Sequence, residues 1–185
     1  MGKIIVTEFV SVDGVCEGPG GGEPYKHVGW TFTYNRSPES QKYKFDEAMQ
    51  TEALLLGRVT YDGFARAWPT RKDDFSDRFN GMPKYVVSRT MTNAPWNNST
   101  ILRGVDDVRK VKDDVKGDLV VHGSPSLVQA LVATDLVDEL RLMTFPILLG
   151  SGKRLFGETA DVRRLRLKET TPQGDGVFLM VYGRY

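Results

Sequence analysis

The 185-residue chain carries 25 Lys and Arg against 24 Asp and Glu, a formal net charge of +1, with 40% hydrophobic residues. Its length suits one domain at roughly 150 residues per domain, large enough to bury roughly 70% of its unfolded surface without staples. The single cysteine, Cys16, excludes an internal disulfide framework and, with only His27 and His122 beside it, leaves no histidine–cysteine set for zinc, while the balanced charge argues against a nucleic-acid partner.

Lys3 to Val12 is rich in β-branched residues and reads as a buried strand. The loop after it centres on Gly18-Pro19-Gly20-Gly21-Gly22, too flexible to hold regular structure by itself, and is either a mobile lid or an idle surface loop. Ser37-Pro38-Glu39 marks a helix start, with Ser37 as N-cap, Pro38 at the first helical position, and Phe45, Ala48 and Met49 on one face. Leu54-Leu55-Leu56, ending at Gly57, reads as a strand. Tyr61, Phe64, Ala65 and Trp68 then recur at i, i+3, i+4, i+7, a helix closed by Pro69. Thr70 to Gly81 reads as surface loop with some helix, and Lys84 to Ser88 as a third strand.

Val105, Val108, Val111 and Val115 stripe a surface helix, and Asp118 to Val121 follows as a fourth strand. Ser124-Pro125 repeats the cap-then-proline start for a helix that turns Leu127, Ala130 and Leu131 inward. Val137 to Phe145 is a strand of mixed alternation. Leu165 and Leu167 alternate with Arg164, Arg166 and Lys168, and the turn Pro172-Gln173-Gly174-Asp175-Gly176 leads into Val177 to Tyr185, a closing antiparallel hairpin. Strands alternating with helices imply an α/β protein with a largely parallel sheet and antiparallel strands at one edge. No apolar stretch approaches the roughly 20 residues of a membrane span, and Ile4-Ile5-Val6 follow the N-terminus without a secretory pattern, so no membrane partner and a cytoplasmic location are expected.

In a parallel α/β sheet, ligands sit beyond the carboxyl ends of the strands, where helix N-termini present free N–H groups. Three junctions carry suitable residues: Gly57-Arg58-Val59-Thr60-Tyr61, Ser88-Arg89-Thr90, and His122-Gly123-Ser124-Pro125-Ser126. A glycine lets a phosphate approach the backbone, arginine supplies a charged fork, and the hydroxyls add donors. Each alone is a common turn with a solvated charge; three at one end of one sheet suggest a ligand with several phosphates, a dinucleotide. Gly150-Ser151-Gly152-Lys153-Arg154 is not a P-loop, because Ile147 stands where the leading glycine belongs and Arg154 replaces Ser/Thr.

Several single residues admit two readings. Glu8, on the face of Ile4, Val6 and Val10, is either a paired site carboxylate or the exposed end of a strand. Asp13 is a site acid or a turn aspartate, and His122 a hydrogen-bonding or proton-transferring group or a structural histidine. Trp30 and Tyr34 stack on a flat substrate or anchor the glycine-rich loop, and Phe145 is core or pocket wall.

Ser11-Val12-Asp13-Gly14, Leu56-Gly57-Arg58-Val59-Thr60-Tyr61, Val86-Val87-Ser88-Arg89-Thr90, Val121-His122-Gly123-Ser124, and Leu136 to Leu140 through Pro146 to Phe156 run in an order that resembles the dihydrofolate reductase superfamily. The resemblance is greatest to the branch of the C-terminal reductase domain of the bifunctional riboflavin-synthesis deaminase-reductase. It implies a single NADPH-binding domain with a central mixed, mostly parallel sheet of about eight strands flanked by helices. By this resemblance Gly57, Arg58 and Thr60 hold the cofactor's phosphates, and Ser88 and Arg89, with Thr90, meet the 2′-phosphate of NADPH. Gly123, Ser124 and Leu127, with His122, lie along the pyrophosphate and nicotinamide half. Asp13 and Gly14 sit near the nicotinamide.

Three departures accompany it. The first-helix acids Glu39, Asp46 and Glu47 do not fall where folate reductases carry theirs, His122-Gly123 replaces a paired glycine, and the zinc-deaminase half is absent. The expectation is an NADPH-dependent reductase of a small heterocyclic C=N or C=O compound, with Asp13, Glu8 or water as proton source and Trp30, Tyr34 and Phe145 near the substrate. A homodimer through the apolar C-terminal hairpin is expected. The alternative is a non-catalytic nucleotide-binding sensor or dimer module.

Overall fold

The computed structural model describes residues 2–22, 24–159 and 161–185. Its centre is an eight-stranded sheet in the order β4-β3-β2-β5-β1-β6-β8-β7. The strands are β1 (Ile4–Ser11), β2 (Ala53–Gly57), β3 (Lys84–Val87), β4 (Ser99–Leu102), β5 (Leu119–His122), β6 (Glu139–Phe145), β7 (Leu165–Pro172) and β8 (Phe178–Arg184). The pairings from β4 across to β6 are parallel, and β8 and β7 add antiparallel pairings at the far edge. This is the α/β architecture expected, with its C-terminal hairpin. The strand β4 was not anticipated, because Ser99-Thr100-Ile101-Leu102 is too short to show alternation.

Helices cover both faces. On one lie α1 (Pro38–Gln50), α2 (Arg58–Ala67) and α3 (Asp74–Gly81); on the other, α4 (Val105–Asp114) and α5 (Pro125–Ala133). Val108, Leu127, Val128 and Leu131 of the second pair pack on Ile4, Val6, Leu55 and Val121. Across the sheet Ala48, Tyr61 and Phe79 pack on Leu54, Leu56 and Val86. The buried Tyr61 hydroxyl satisfies both of its functions, accepting from the Trp96 amide at 2.9 Å and donating to Ser99 Oγ at 3.1 Å.

Ser37 caps α1 as expected, accepting from the Ser40 amide. The inward face of α1 is not the Phe45 stripe, since Phe45 is exposed; Ser40, Glu47 and Ala48 are buried instead, with Lys44 half-buried between them. The 70–81 stretch holds a full helix, closed by a capping box between Asp73 and Ser76 and anchored by the buried Phe79. Lys84, fully buried in β3, donates to the carbonyls of Asn80, Met82 and Asn97 at 2.8–2.9 Å and lies 4.4 Å from the Trp96 ring centroid. All three ammonium donors are thereby used, which ties α3 to the segment before β4.

Candidate active site

Where β2 and β5 end side by side, their junctions are joined. The Gly57 amide donates to Ser124 Oγ at 2.8 Å, and the Ser124 amide donates to Thr60 Oγ1 at 3.0 Å. Gly123 (φ +56°) and Ser124 (φ +61°) are both left-handed, a conformation that costs a side-chain-bearing residue about 1–2 kcal/mol. A Cβ on Gly123 would lie 2.9 Å from Thr60 Oγ1, and one on Gly57 would lie 3.3 Å from Ser124. Gly123 is therefore demanded by the fit of one junction against the other, and Gly57 sits in a tight contact that a Cβ would crowd by a few tenths of an ångström. Neither α2 nor α5 receives a side-chain cap, so the first turn of α2 presents uncapped N–H groups here.

The third junction lies beside them, because β3 neighbours β2. Arg58 donates to Thr90 Oγ1 at 2.9 Å and approaches Asp62 at 3.6 Å. Ser88 is buried, and its hydroxyl accepts from the Met91 amide, so it faces the protein. Arg103, which the sequence reading passed over, staples this loop by donating to the carbonyls of Ser88, Arg89 and Met91. The Arg89 side chain is exposed and makes no ion pair or hydrogen bond among the described residues. Of the expected phosphate-binding groups, Arg58 and Arg89 thus stand at the mouth. Thr60 and Ser124 build the junction. Leu127 is buried at the start of α5, beside Gly57.

Pairing of β1 with β5 stops at Thr7–His122, whereas its pairing with β6 continues to Ser11–Phe145. The carboxyl half of β1 therefore borders a crevice, the place where ligands bind in open α/β sheets. On the α1 side, Thr7, Phe9, Lys44, Glu47 and Arg141 come together. Lys44 donates to Thr7 Oγ1 at 2.5 Å and to Glu47 Oε2 at 2.7 Å, and Arg141 donates to Glu47 Oε1 at 3.2 Å. Burial pushes the Glu47 carboxyl up, but Lys44, His122 and Arg141 outweigh it and hold the group at about 2. Arg141 continues to Glu139, and Glu139 to Lys168. Phe9 is half-buried, with Arg36 and Lys44 each 5.3 Å from its ring centroid.

The expected proton groups take other roles. Asp13 accepts from Ser11 Oγ at 2.6 Å and from the Leu149 and Gly150 amides at 3.1 and 2.8 Å. These donors hold its carboxyl at about 2, so Asp13 is an ionised anchor for the 146–150 loop and not a proton donor near neutral pH. His122 packs on Phe64 and Phe79 with a buried Nε2 that has no hydrogen-bond partner among the described residues. Burial, then the Lys44 ammonium, against opposition from Glu47, lowers it to about 4, and the ring is neutral at pH 7. Glu8 is buried on the opposite face from Thr7 and Phe9, with Val6 and Val10.

Phe145 sits at the hub of an aromatic cluster with Phe9, Trp30 and Tyr34, each ring edge-on at 5.2–5.6 Å. Phe145 and Trp30 are buried, and the Trp30 indole donates to the Glu17 carbonyl. They anchor the glycine-rich loop; Phe9 and Tyr34 keep the half-exposed surfaces. That loop is clipped at both ends, through Cys16 to Lys153 and through Gly18 to Gly29.

The sheet order, the helices on both faces and the crevice between β5 and β1 define a dihydrofolate reductase-like, reductase-type fold. Enterococcus faecalis dihydrofolate reductase, solved with NADP(H) and RAB-propyl, superposes with a TM-score of 0.61 at 14% identity, covering 98% of this chain and 96% of that one. A Shewanella sp. PV-4 protein assigned to riboflavin biosynthesis gives 0.77 at 24% identity, with 99% of each chain covered. The chain belongs to the RibD C-terminal domain family, whose model matches residues 2–179. The uncharacterized Bacillus subtilis protein YyaP is 29% identical over 189 residues, covering 97% of this chain and 94% of YyaP, and YwjB of the same organism is 24% identical over 179.

Proposed function

We propose that this chain is an NADPH-dependent oxidoreductase that reduces a small, heterocyclic C=N or C=O compound. The observation that carries the reading is the fused pair of junctions at Gly57–Thr60 and Gly123–Ser124, with Arg58 and Arg89 exposed beside it. An uncapped helix N-terminus and two guanidinium groups are the donor set a dinucleotide's phosphates require. In this reading Arg58 holds the phosphates at the start of α2 and Arg89 meets the 2′-phosphate. When bound there, NADPH supplies the hydride. The chain's own part is to hold cofactor and acceptor together over the carboxyl half of β1 and to keep water from the reacting carbon. Asp13 and Glu47 are held ionised and His122 neutral at pH 7, and Glu8 faces the other side of the sheet, so in this reading water is the proton source.

Titration with each nucleotide tests this. NADPH binds more tightly than NADH, and Arg89→Ala removes most of the difference, on the order of 1.5–3 kcal/mol. Equal affinities in the unaltered protein refute the assignment of Arg89. The same ionised acids and neutral imidazole favour a second reading, a nucleotide-binding module without turnover, which predicts saturation by NADPH and no oxidation of it with any acceptor. The proposal extends to a cytoplasmic homodimer through the C-terminal hairpin, where Leu165, Leu167 and Phe178 are exposed. Sedimentation at twice the 20.7 kDa chain mass supports the dimer, and a monomer at high concentration removes it.

A further inference from the structure

Arg36 stands two residues before α1 and has no local explanation. Its guanidinium is half-buried against Phe9, 5.3 Å from the ring centroid, and among the described residues it makes no ion pair and no side-chain hydrogen bond. Nearby acids are committed elsewhere. Asp175 accepts from the Asn35 amide, Glu39 is bound to Ser37 at the start of α1, and Glu47 is shared by Lys44 and Arg141. Burial without an anion also lowers the Arg36 pKa from its ordinary value. A partly desolvated guanidinium without a protein acceptor among the described residues costs stability, and an incoming carboxylate would offset that cost through a bidentate pair.

The chain Lys44–Glu47–Arg141–Glu139–Lys168 alternates in sign and carries one excess positive charge, and Arg36 adds an unneutralised second. Lys44 already spends two donors on Thr7 and Glu47, which leaves Arg36 as the open fork. Phe9 is half-buried and carries Arg36 and Lys44 over its ring, which fixes where the fork stands. A flat ring packed against the part of Phe9 that stays exposed would carry its charged substituent toward Arg36.

We propose that Arg36 and Phe9 form a subsite for a planar ring bearing a carboxylate, so that the acceptor of the proposed reductase is a ring carboxylate. The inference rests on the reductase reading only for the word acceptor; the subsite exists or fails without it. The excess charge of the network sits on Lys44 and Lys168, whose ammonium groups are already engaged by Glu47 and Glu139, so the open group is the one guanidinium; a phosphate monoester, at roughly −1.5 to −2, would bring its second charge against Glu47.

Benzoate, benzamide and phenyl phosphate serve as probes, titrated into the isotopically labelled full chain without nucleotide and followed by amide and arginine side-chain NMR shifts. Benzoate is expected to shift Phe9, Tyr34 and the Arg36 Nε resonance with saturation, and to bind at least tenfold more tightly than benzamide or phenyl phosphate. Arg36→Gln is expected to weaken benzoate at least tenfold while leaving the NADPH dissociation constant unchanged, and Arg36→Lys to fall between. Equal binding of benzoate and benzamide overturns the proposal, as does unchanged benzoate affinity in Arg36→Gln. Tighter binding of phenyl phosphate overturns the carboxylate assignment, and shifts confined to Arg58 and Arg89 place the anion elsewhere. Loss of NADPH binding in the unaltered protein sinks the reductase reading and leaves the benzoate result standing, so the two failures are distinct. Arg36→Gln that has lost its native amide dispersion is replaced by Phe9→Leu, which keeps the cation and removes the platform, and which must also weaken benzoate.

Discussion

Gly123→Ala tests the fusion of the two junctions most directly. The alanine must adopt φ +56°, at about 1–2 kcal/mol, and its Cβ must fit 2.9 Å from Thr60 Oγ1. Thr60 cannot swing aside freely, because its χ1 is stiff and its hydroxyl accepts from the Ser124 amide at 3.0 Å. Overpacking of that kind costs about 1–3 kcal/mol, so the variant loses about 2–5 kcal/mol. A domain with the usual margin of about 5–15 kcal/mol stays folded and measurable. Thr60→Ala alone loses about 1 kcal/mol or somewhat more, for the hydrogen bond and the amide it leaves unpaired. In the double variant the overlap is gone while the left-handed backbone remains, so the two losses combine to about 1–3 kcal/mol less than their sum. Urea unfolding at pH 7 measures all four proteins, with an unchanged m-value confirming that only stability moved. Additivity within about 0.5 kcal/mol would show that Gly123 and Thr60 do not touch, and the joined-junction geometry would fall with it.

Two further predictions concern protons. His122 has a folded-state pKa of about 4 against an ordinary 6.5, so the unfolded chain binds its proton first and stability falls as pH drops from 6.5 toward 4, by up to about 3 kcal/mol. His122→Leu is expected to change stability little at pH 7, since Nε2 has no partner to lose, and to flatten that slope; an imidazole NMR titration near 6.5 in the native protein would contradict it. Glu47 is depressed from 4.5 to about 2, so its contribution is complete above pH 4.5 and is lost as pH falls through 2. Glu47→Gln is expected to cost about 3 kcal/mol at pH 7 by stranding Lys44 and Arg141, with the deficit shrinking below pH 4.5. A deficit that stays constant down to pH 3 refutes the ion-paired state.

What the sequence disclosed and what it hid divide by range. The junctions at Gly57, Ser88 and Gly123 were legible because turn residues, strand ends and helix starts are local features. The cap at Ser37-Pro38 was legible for the same reason. The inward face of α1 was not. A search for apolar residues at helical spacing selects Phe45, yet the face that meets the sheet is Ser40, Lys44, Glu47 and Ala48 at i, i+4, i+7, i+8. The i, i+3 pair of Lys44 and Glu47 was a usable signal, but only Thr7 and Arg141, distant in sequence, make it worth burying. The helix α3 carried its own notice in Asp73, Ser76 and the Phe75–Phe79 pair, which a reading of mean polarity overlooks.

Protonation states lie beyond sequence for a related reason: they are set by neighbours that the fold delivers. Asp13 beside Gly14 reads as a candidate acid until the Leu149 and Gly150 amides, more than 130 residues on, are found pointing at its carboxylate. His122 reads as a neutral-pH proton carrier until Phe64, Phe79 and Lys44 surround it. The corrections agree in direction, since each removes a transferable proton and leaves fixed charge behind. Two cations without a carboxylate partner among the described residues stand at this rim: Arg89 after β3, and Arg36 before α1, whose N-terminus lies at the carboxyl end of the sheet. Arg58 is only loosely held by Asp62 beside them. A chain with a net charge of +1 therefore presents a locally cationic crevice, and such a crevice selects for negative charge in what it binds at both its ends.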